Sequence, residues 1–202
     1  MKKIFATIFA GVLMLIGTQA YAQLAVNAGY LNVTEKSDFN ASVAGIDLGT
    51  SGSFQWNGAY VGVDYNIGIG APGLSVAPGI NLQMLFASED KTSYNELDVV
   101  VPVDLRYSLE LASDMKLFAF AGPRCQLGLT RTSKYDGGDS KNVYDDENWK
   151  KFNLLAGGGI GAELGNQLRI TLGYDHTIMS MYDHDNIKVN RGQIKIGVGY
   201  LF

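Results

Sequence analysis

The sequence predicts an all-β fold, an eight-stranded antiparallel up-and-down transmembrane β-barrel. The first observation is the strict alternation of the last residues, where Ile194, Ile196, Val198, Tyr200 and Phe202 share one face of a strand. Polar or small residues occupy the other face. The second observation is that the connections between alternating segments are short at one end and long at the other. Both features are typical of a barrel that crosses a membrane with strands.

The N-terminus predicts export. Two lysines precede an uncharged apolar run from Ile4 to Ile16, and small residues flank Tyr21 before Gln23. This run is too short for a spanning helix and fits a secretory signal peptide. We therefore expect residues 1–22 to be the signal peptide and residues 23–202 to form one barrel domain. Cleavage would change the net charge from −4 to about −6. The single cysteine, Cys125, excludes an internal disulfide.

The strands follow from alternating runs separated by turn residues. We predict them at 24–34, 57–68, 73–88, 94–110, 116–131, 150–164, 167–182 and 189–202. The short connections lie at 68–73, 112–115 and 165–166. The longer, more polar connections lie at 35–56, 88–95, 132–149 and 183–188. This asymmetry predicts periplasmic turns, extracellular loops and both termini on the periplasmic side.

One strand face is bulky and apolar, whereas the other is rich in glycine and carries charges of both signs. An eight-stranded barrel has an interior only wide enough for side chains to fill, and the bulky face is too bulky to fit there, so we expect it to meet lipid. A soluble, lipocalin-like barrel would place the bulky face inside and is therefore disfavoured. The residues predicted to form a charge network in the lumen are Asp64, Asp98, Asp104, Arg106, Arg124, Glu163, Arg169, Asp175 and Lys195. Paired charges in a closed lumen predict a plug rather than a diffusion pore.

Several segments carry a family resemblance. They are Tyr60–Val63, Leu74–Gly79, Leu97–Tyr107, Ala119–Pro123 and Gly199–Phe202. Through them the chain resembles the small outer-membrane β-barrel proteins, such as outer membrane protein X and the porin-like barrels of Bacteroides-type bacteria. The resemblance covers essentially all of the mature chain. It implies a location in the bacterial outer membrane and supplies no catalytic residues.

Three prolines, Pro78, Pro102 and Pro123, fall in consecutive predicted strands. Each removes a backbone donor from the ladder of a closed barrel. We expect β-bulges at these positions. Near Pro123 a change of facing is also expected, because Phe118 and Phe120 are predicted to face lipid whereas Arg124, an even number of residues further on, is predicted to face the lumen. The alternative is a weakened wall through which a lipid chain enters laterally.

Two histidines lie near a hydroxyl or a carboxyl side chain, as the catalytic histidines of hydrolases and acyltransferases do. His176 lies four residues before Ser180, and His184 follows Asp183. A hydroxyl activated by an adjacent base would suit an enzyme that modifies lipid A. Asp175, however, is predicted to face opposite to His176, and the His-x-Ser spacing is absent. We therefore treat these residues as weak catalytic candidates.

The prediction is a monomeric outer-membrane barrel with a structural or adhesion-like role exercised by its outer loops. Its expected partners are membrane lipid, lipopolysaccharide and an unidentified extracellular ligand or protein. The alternatives are a lipid A deacylase or acyltransferase, and a carrier of small hydrophobic ligands with lateral exit. No cofactor or metal is predicted, because the acidic runs at 136–139 and 145–147 fit no known ion loop. The acidic mature chain makes nucleic acid an unsuitable partner.

Overall fold

The computed structural model describes residues 22–43, 46–136, 138–146, 148–182 and 186–202. The long strands are β1 (Ala22–Val43), β2 (Ile46–Gly68), β3 (Leu74–Glu89), β4 (Thr92–Ala112), β5 (Met115–Tyr135), β7 (Phe152–Leu164), β8 (Leu168–Thr177) and β9 (Ile187–Leu201). The short strand β6 (Ser140–Asn142) and a single 3₁₀ turn (Val143–Asp145) lie between β5 and β7. Among these described residues, no helix is long and apolar enough to cross a membrane.

The eight long strands close into a ring. Each pairs antiparallel with its neighbours, β5 pairs with β7, and β1 pairs with β9 to complete the circle. The strand β6 pairs only with β5. This arrangement confirms the predicted eight-stranded antiparallel up-and-down barrel.

The alternation in sequence decides which side chains face outward. Along β9, Ile194, Ile196, Val198 and Tyr200 are exposed on the outer surface, and the intervening positions face the interior. The same alternation operates along β3 and β8, where the apolar residues are outside. Exposed apolar side chains therefore form a band around the barrel, which is the arrangement that lipid contact requires.

The two ends of the barrel differ. At one end the strands are joined by tight turns around residues 69–73, 113–114 and 165–167, and both ends of the described chain lie there. Gly73 adopts a φ of 75°, and a Cβ at this position would collide with the carbonyl oxygen of Ser108. We name this the turn end and the opposite end, where the longest strands continue, the hairpin end.

The first long connection is more regular than predicted. The expected loop at 35–56 is largely a hairpin, because β1 and β2 remain paired as far as Val43 and Ile46. Apolar alternation is weak here because successive residues, which point to opposite faces, are both exposed at 36–37 and along 49–53, so the pattern that marks a half-buried strand is missing. Conversely, the predicted strand 167–182 ends earlier, since β8 stops at Thr177.

The three prolines coincide with interruptions of pairing rather than with bulges. Pairing is missing in three places: between residues 65–66 and 77–78, between 79–80 and 101–102, and between 103–104 and 122–123. The register is the same on both sides of each interruption. The register shifts lie elsewhere in the β4–β5 ladder, at Leu97/Asp98 and Glu110/Ala112. The expectation of bulges at Pro78, Pro102 and Pro123 is therefore corrected: these residues remove ladder bonds without adding a residue.

Two glycines bring neighbouring backbones close together beside these interruptions. Gly79 lies so close to the carbonyl oxygen of Val63 that a Cβ there would approach to 2.8 Å. Gly122 is packed still more tightly against the carbonyl oxygen of Val103. This close approach of backbones, which only glycine permits, keeps neighbouring strands in contact beside the missing pairs.

Candidate functional site in the barrel interior

The interior carries three groups of charged side chains, stacked along the barrel axis. The first, the turn-end cluster, consists of Asp64, Arg106, Glu163 and Arg169. Arg169 donates to Asp64 at 2.8 Å and to Glu163 at 2.9 Å. Arg106 lies 3.3 Å from the same Glu163 oxygen and 3.7 Å from Asp64. Two cations and two anions are thus joined in one neutral network.

The turn-end cluster rests on an aromatic ring that the sequence interpretation misplaced. Phe118 is buried, and the guanidinium carbon of Arg106 lies 4.3 Å from its ring centroid. Arg169 covers the same ring at 5.6 Å. The prediction that Phe118 and Phe120 face lipid is wrong, and β5 keeps one facing from Phe118 through Pro123 to Arg124. A cation over an aromatic face is attractive, so a large apolar ring is stable here among charges.

The second group, the middle cluster, consists of Asp104, Arg124, Asp175 and Lys195. Arg124 lies 2.8 Å from both Asp104 and Asp175, and Lys195 also pairs with Asp175. Arg124 in addition donates to the carbonyl oxygen of Gly122, beside Pro123, where the ladder to β4 is interrupted. Its side chain therefore supplies a donor that the strand pairing lacks.

The third group, the hairpin-end cluster, contains Glu35, Glu96, Asp98, Arg131 and Arg191. Arg191 is fully buried and contacts Glu35 and Glu96 at 2.8 Å. Arg131 binds Glu35 at 2.8 Å, and Gln126 donates to Asp98 at 2.6 Å.

Of the hairpin-end cluster only Asp98 was among the sequence-based candidates. Two other members were detectable, because Glu96 lies two residues before Asp98 and Arg191 two residues before Gln193, so each shares the facing of that polar residue. Glu35 and Arg131 fell at or beyond the predicted strand ends, where no facing had been assigned.

The structure brings all nine predicted lumen residues into these three clusters. All five arginines of the sequence are buried there. A cavity of about 80 Å³ lies between the turn-end and middle clusters, with Tyr60, Asn81 and Pro102 in its wall. At roughly 30 Å³ per water, it accommodates two or three water molecules. Within the described ranges, no group of three or more His, Cys, Asp or Glu side chains is placed to hold a metal ion.

Aromatic and apolar side chains cover the hairpin-end cluster. Arg131 lies between the rings of Trp56, at 5.0 Å, and Trp149, at 4.2 Å. Met181, on the connection after β8, is fully buried, and its carbonyl accepts a hydrogen bond from the backbone of Lys150. The two connections at this end are therefore joined to each other and to the rim.

Tyr144 completes this cover. Its ring occupies the space where Gly128 lacks a side chain, and the backbone nitrogen of Gly128 donates to the carbonyl of Lys151. Burial raises the pKa of the Tyr144 phenol, and the nearby carboxylate of Glu96 raises it further. The phenol is therefore neutral at physiological pH.

The structure does not assemble a catalytic group from the described candidates. His176 is exposed on the outer surface and stacks on Tyr174, with ring centroids 6.4 Å apart. Ser180 donates its hydroxyl to the carbonyl of Tyr182 at 2.8 Å and accepts from the backbone of Val189 at 3.1 Å. Its hydroxyl thus stabilises the connection before β9. The remaining candidates, Asp183 and His184, lie outside the described residues.

Comparison with known proteins bears on the fold and the family. No curated protein sequence matches the chain. The attachment invasion locus protein Ail of Yersinia pestis, solved in complex with the heparin analogue sucrose octasulfate, is 14% identical, with a TM-score of 0.50. The alignment covers 90% of this chain and 99% of Ail. Neisserial surface protein A is 16% identical with a TM-score of 0.45, covering 86% of this chain and 97% of that protein. The outer membrane enzyme PagL is 10% identical with a TM-score of 0.47, covering 85% and 98%.

These identities show likeness of fold alone. A family model described as the outer membrane protein beta-barrel domain matches residues 16–183, most of the chain. With the closed ring of eight strands and its apolar outer band, this match shows that the chain belongs to the outer-membrane β-barrel protein family.

Proposed function

We propose that this outer-membrane protein acts as a surface-interaction protein, with the hairpin end as its binding region and a charge-plugged interior. The observation that carries the proposal is strand length. About 9–11 residues take a strand across a bilayer, whereas β1, β2, β4 and β5 contain 22, 23, 21 and 21 residues. For β1 and β2 the excess projects at the hairpin end, because their paired residues Ala22 and Ile67 already lie beside the tight turn of the opposite end.

We also propose the orientation. In barrels of this class, tight turns face the periplasm and long connections face outside. The hairpin end would then be extracellular, and the turn end, with both termini of the mature chain, would be periplasmic. Export through a signal peptide at residues 1–22 agrees with this orientation.

The interior supports a plugged lumen rather than a channel. Eight strands leave room only for side chains, and here those side chains are fixed in three ion-pair clusters. Moving one of these charges aside would leave its partners buried without compensation, at a cost of several kcal/mol. A continuous water path is therefore energetically disfavoured.

The alternatives receive less support from the geometry. A lipid A-modifying enzyme would need a hydroxyl and a base in contact, but His176 faces outward and the Ser180 hydroxyl is engaged by backbone groups. A carrier with lateral exit would need an opening beside the prolines, where Gly79 and Gly122 instead pack tightly on the opposing strands.

Attachment of intact cells tests the proposal. Replacing residues 38–51 with a two-residue Asn-Gly turn would join Ser37 to Gly52, which face each other in the β1–β2 ladder, and leave the spanning strands unchanged. Cells of a deletion strain carrying either version are compared on immobilised mucin, fibronectin and collagen and on other bacterial cells. We expect the shortened protein to be as abundant in the outer membrane as the parent. Cells that carry it should nevertheless attach no better than cells of the deletion strain. Attachment that is equal for all three strains on every surface would contradict the proposal.

A further inference from the structure

The upper part of β2 has a strand on only one side. Its ladder with β1 continues to Ile46, but its ladder with β3 begins only at Asn57. The neighbouring strand β1 is paired on both sides as far as Phe39. In the described part of the chain, therefore, no strand pairs with the second edge of residues 46–56, which we name the β2 edge. Alternate residues of an edge direct their backbone N–H and C=O groups away from the sheet, where they are available to another strand.

The β2 edge lacks the features that usually prevent pairing with other chains. Natural edge strands are blunted by lysines, prolines or bulges. Of residues 46–56, only Asp47 is ionisable, and none is proline. The register with β1 is continuous, so no bulge turns the edge away. Residues 49–53 are Gly-Thr-Ser-Gly-Ser and are exposed. Such small, uncharged side chains leave room for a second backbone beside the strand.

The base of this hairpin is firmly held. Trp56 is fully buried in a cluster with Leu31, Val33 and Leu85. Phe54 packs edge-on against Trp56 and against Tyr94, with ring centroids 5.2 Å and 5.1 Å apart. A strand fixed at its base loses less conformational freedom on binding, which favours affinity.

We propose that the β2 edge binds an extended segment of a partner protein as an added β-strand, a mode that rests on the proposed surface-interaction function. Backbone donors and acceptors repeating along a strand are matched by another extended polypeptide, and in strand addition they supply most of the affinity. The small, uncharged side chains of residues 49–53 offer no charge that would bind a charged glycan, so the backbone groups favour a polypeptide. The partner's strand continues the β9–β1–β2 sheet by one strand.

A peptide with the sequence of residues 34–43 is a suitable probe, because that sequence already pairs antiparallel with β2 on its other edge. Its binding is measured to the full mature chain in lipid nanodiscs. The edge variant is Ser51→Lys with Ser53→Lys. The matched control is Ser37→Lys, which lies opposite Gly52 at the same height, but on the strand that is paired on both sides. All three substitutions in these two variants place lysine at exposed positions.

We expect the peptide to bind the parent chain and the Ser37→Lys control equally, and the edge variant about tenfold more weakly, because edge lysines block strand addition. A peptide N-methylated at alternate amides keeps its side chains but loses backbone donors, and we expect it not to bind. Equal binding by the parent and the edge variant, or undiminished binding of the N-methylated peptide, would overturn the proposal. So would a parent chain that dimerises through this edge and excludes the peptide, since the occupant would then be a second copy.

The cell attachment assay separates this inference from the function on which it rests. If shortening the hairpin abolishes attachment while Ser51→Lys with Ser53→Lys leaves it unchanged, strand addition is refuted and the surface-interaction function stands. If both variants abolish attachment and the Ser37→Lys control does not, both are supported. If neither variant changes attachment, both are refuted.

Discussion

Arg191 contacts all three carboxylates of the hairpin-end cluster, so its replacement tests the interior ion-pair network directly. Its guanidinium is fully buried and lies 2.8 Å from Glu35 and Glu96 and 3.7 Å from Asp98. Its backbone is also held, because its N–H donates to the hydroxyl of Thr177 at 2.8 Å. Replacing Arg191 with methionine keeps an unbranched chain but removes the charge.

The expected loss can be worked from these contacts. The hairpin-end cluster holds three carboxylates and two guanidinium groups, so Arg191→Met leaves three carboxylates facing Arg131 alone. One unit pair at 4 Å contributes about 4 kcal/mol at an effective dielectric constant near 20. Breaking a buried pair by removing one partner typically costs about 3–5 kcal/mol. We therefore expect the free energy of unfolding to fall by about 3–5 kcal/mol, and the further change Glu96→Gln to restore part of it.

Urea unfolding of the mature chain in lipid vesicles, followed by tryptophan fluorescence, measures this loss. The control is Lys116→Met, which removes the 3.2 Å pair with Glu110, whose side chain is 74% exposed. An exposed pair contributes at most about 1 kcal/mol. A loss for Arg191→Met no larger than that of the control would refute the reasoning that buried ion pairs hold the interior together.

Three further predictions follow from packing and closure. Gly128→Val places a side chain where the ring of Tyr144 lies, and overpacking should lower the free energy of unfolding by about 1–3 kcal/mol in the same urea assay. The control Gly52→Ala meets open space and should change the free energy of unfolding by less than about 0.5 kcal/mol. Phe118→Ala should cost about 3–5 kcal/mol because the ring is internal, and the lipid-facing control Leu117→Ala less than about 1.5 kcal/mol because lipid replaces the lost contacts. Equal losses for this second pair would contradict the assigned facing. In planar bilayers the folded protein should carry no steady ion current, and a reproducible conductance step would contradict the plugged lumen.

The features that alternation reveals were predictable from the sequence. In β4, β8 and β9, large apolar residues occupy every second position, so the facing of Asp98, Arg169 and Lys195 follows from period two. The closure into eight strands followed from the same runs and from the turn residues between them. These strands are half-buried in the sense that one face meets lipid and the other meets side chains, which makes the pattern strong.

The remaining features depend on three-dimensional context. Phe118 is as apolar as a lipid-facing residue, and only the two arginines above its ring explain its place inside. Trp56 has the amphipathic ring that favours a membrane surface, yet it is buried inside, beneath Arg131. The upper β1–β2 hairpin escaped prediction because strands with water on both faces carry no apolar alternation. Alternation of apolar and polar residues arises where the two faces of a strand meet different surroundings, so it is absent where both faces meet the same one.

Site-directed labelling of intact cells tests the central claim most directly, namely that the hairpin end is outside and available for binding. With Cys125→Ser as background, which removes the single native thiol, one cysteine is placed at Ser53 in the β2 edge and another, in a separate variant, at Asn166 in a turn of the opposite end. A membrane-impermeant maleimide should label the Ser53→Cys protein on intact cells, and the Asn166→Cys protein only after the outer membrane is permeabilised. Labelling of Asn166→Cys but not of Ser53→Cys on intact cells would contradict the orientation and, with it, the proposed binding surface.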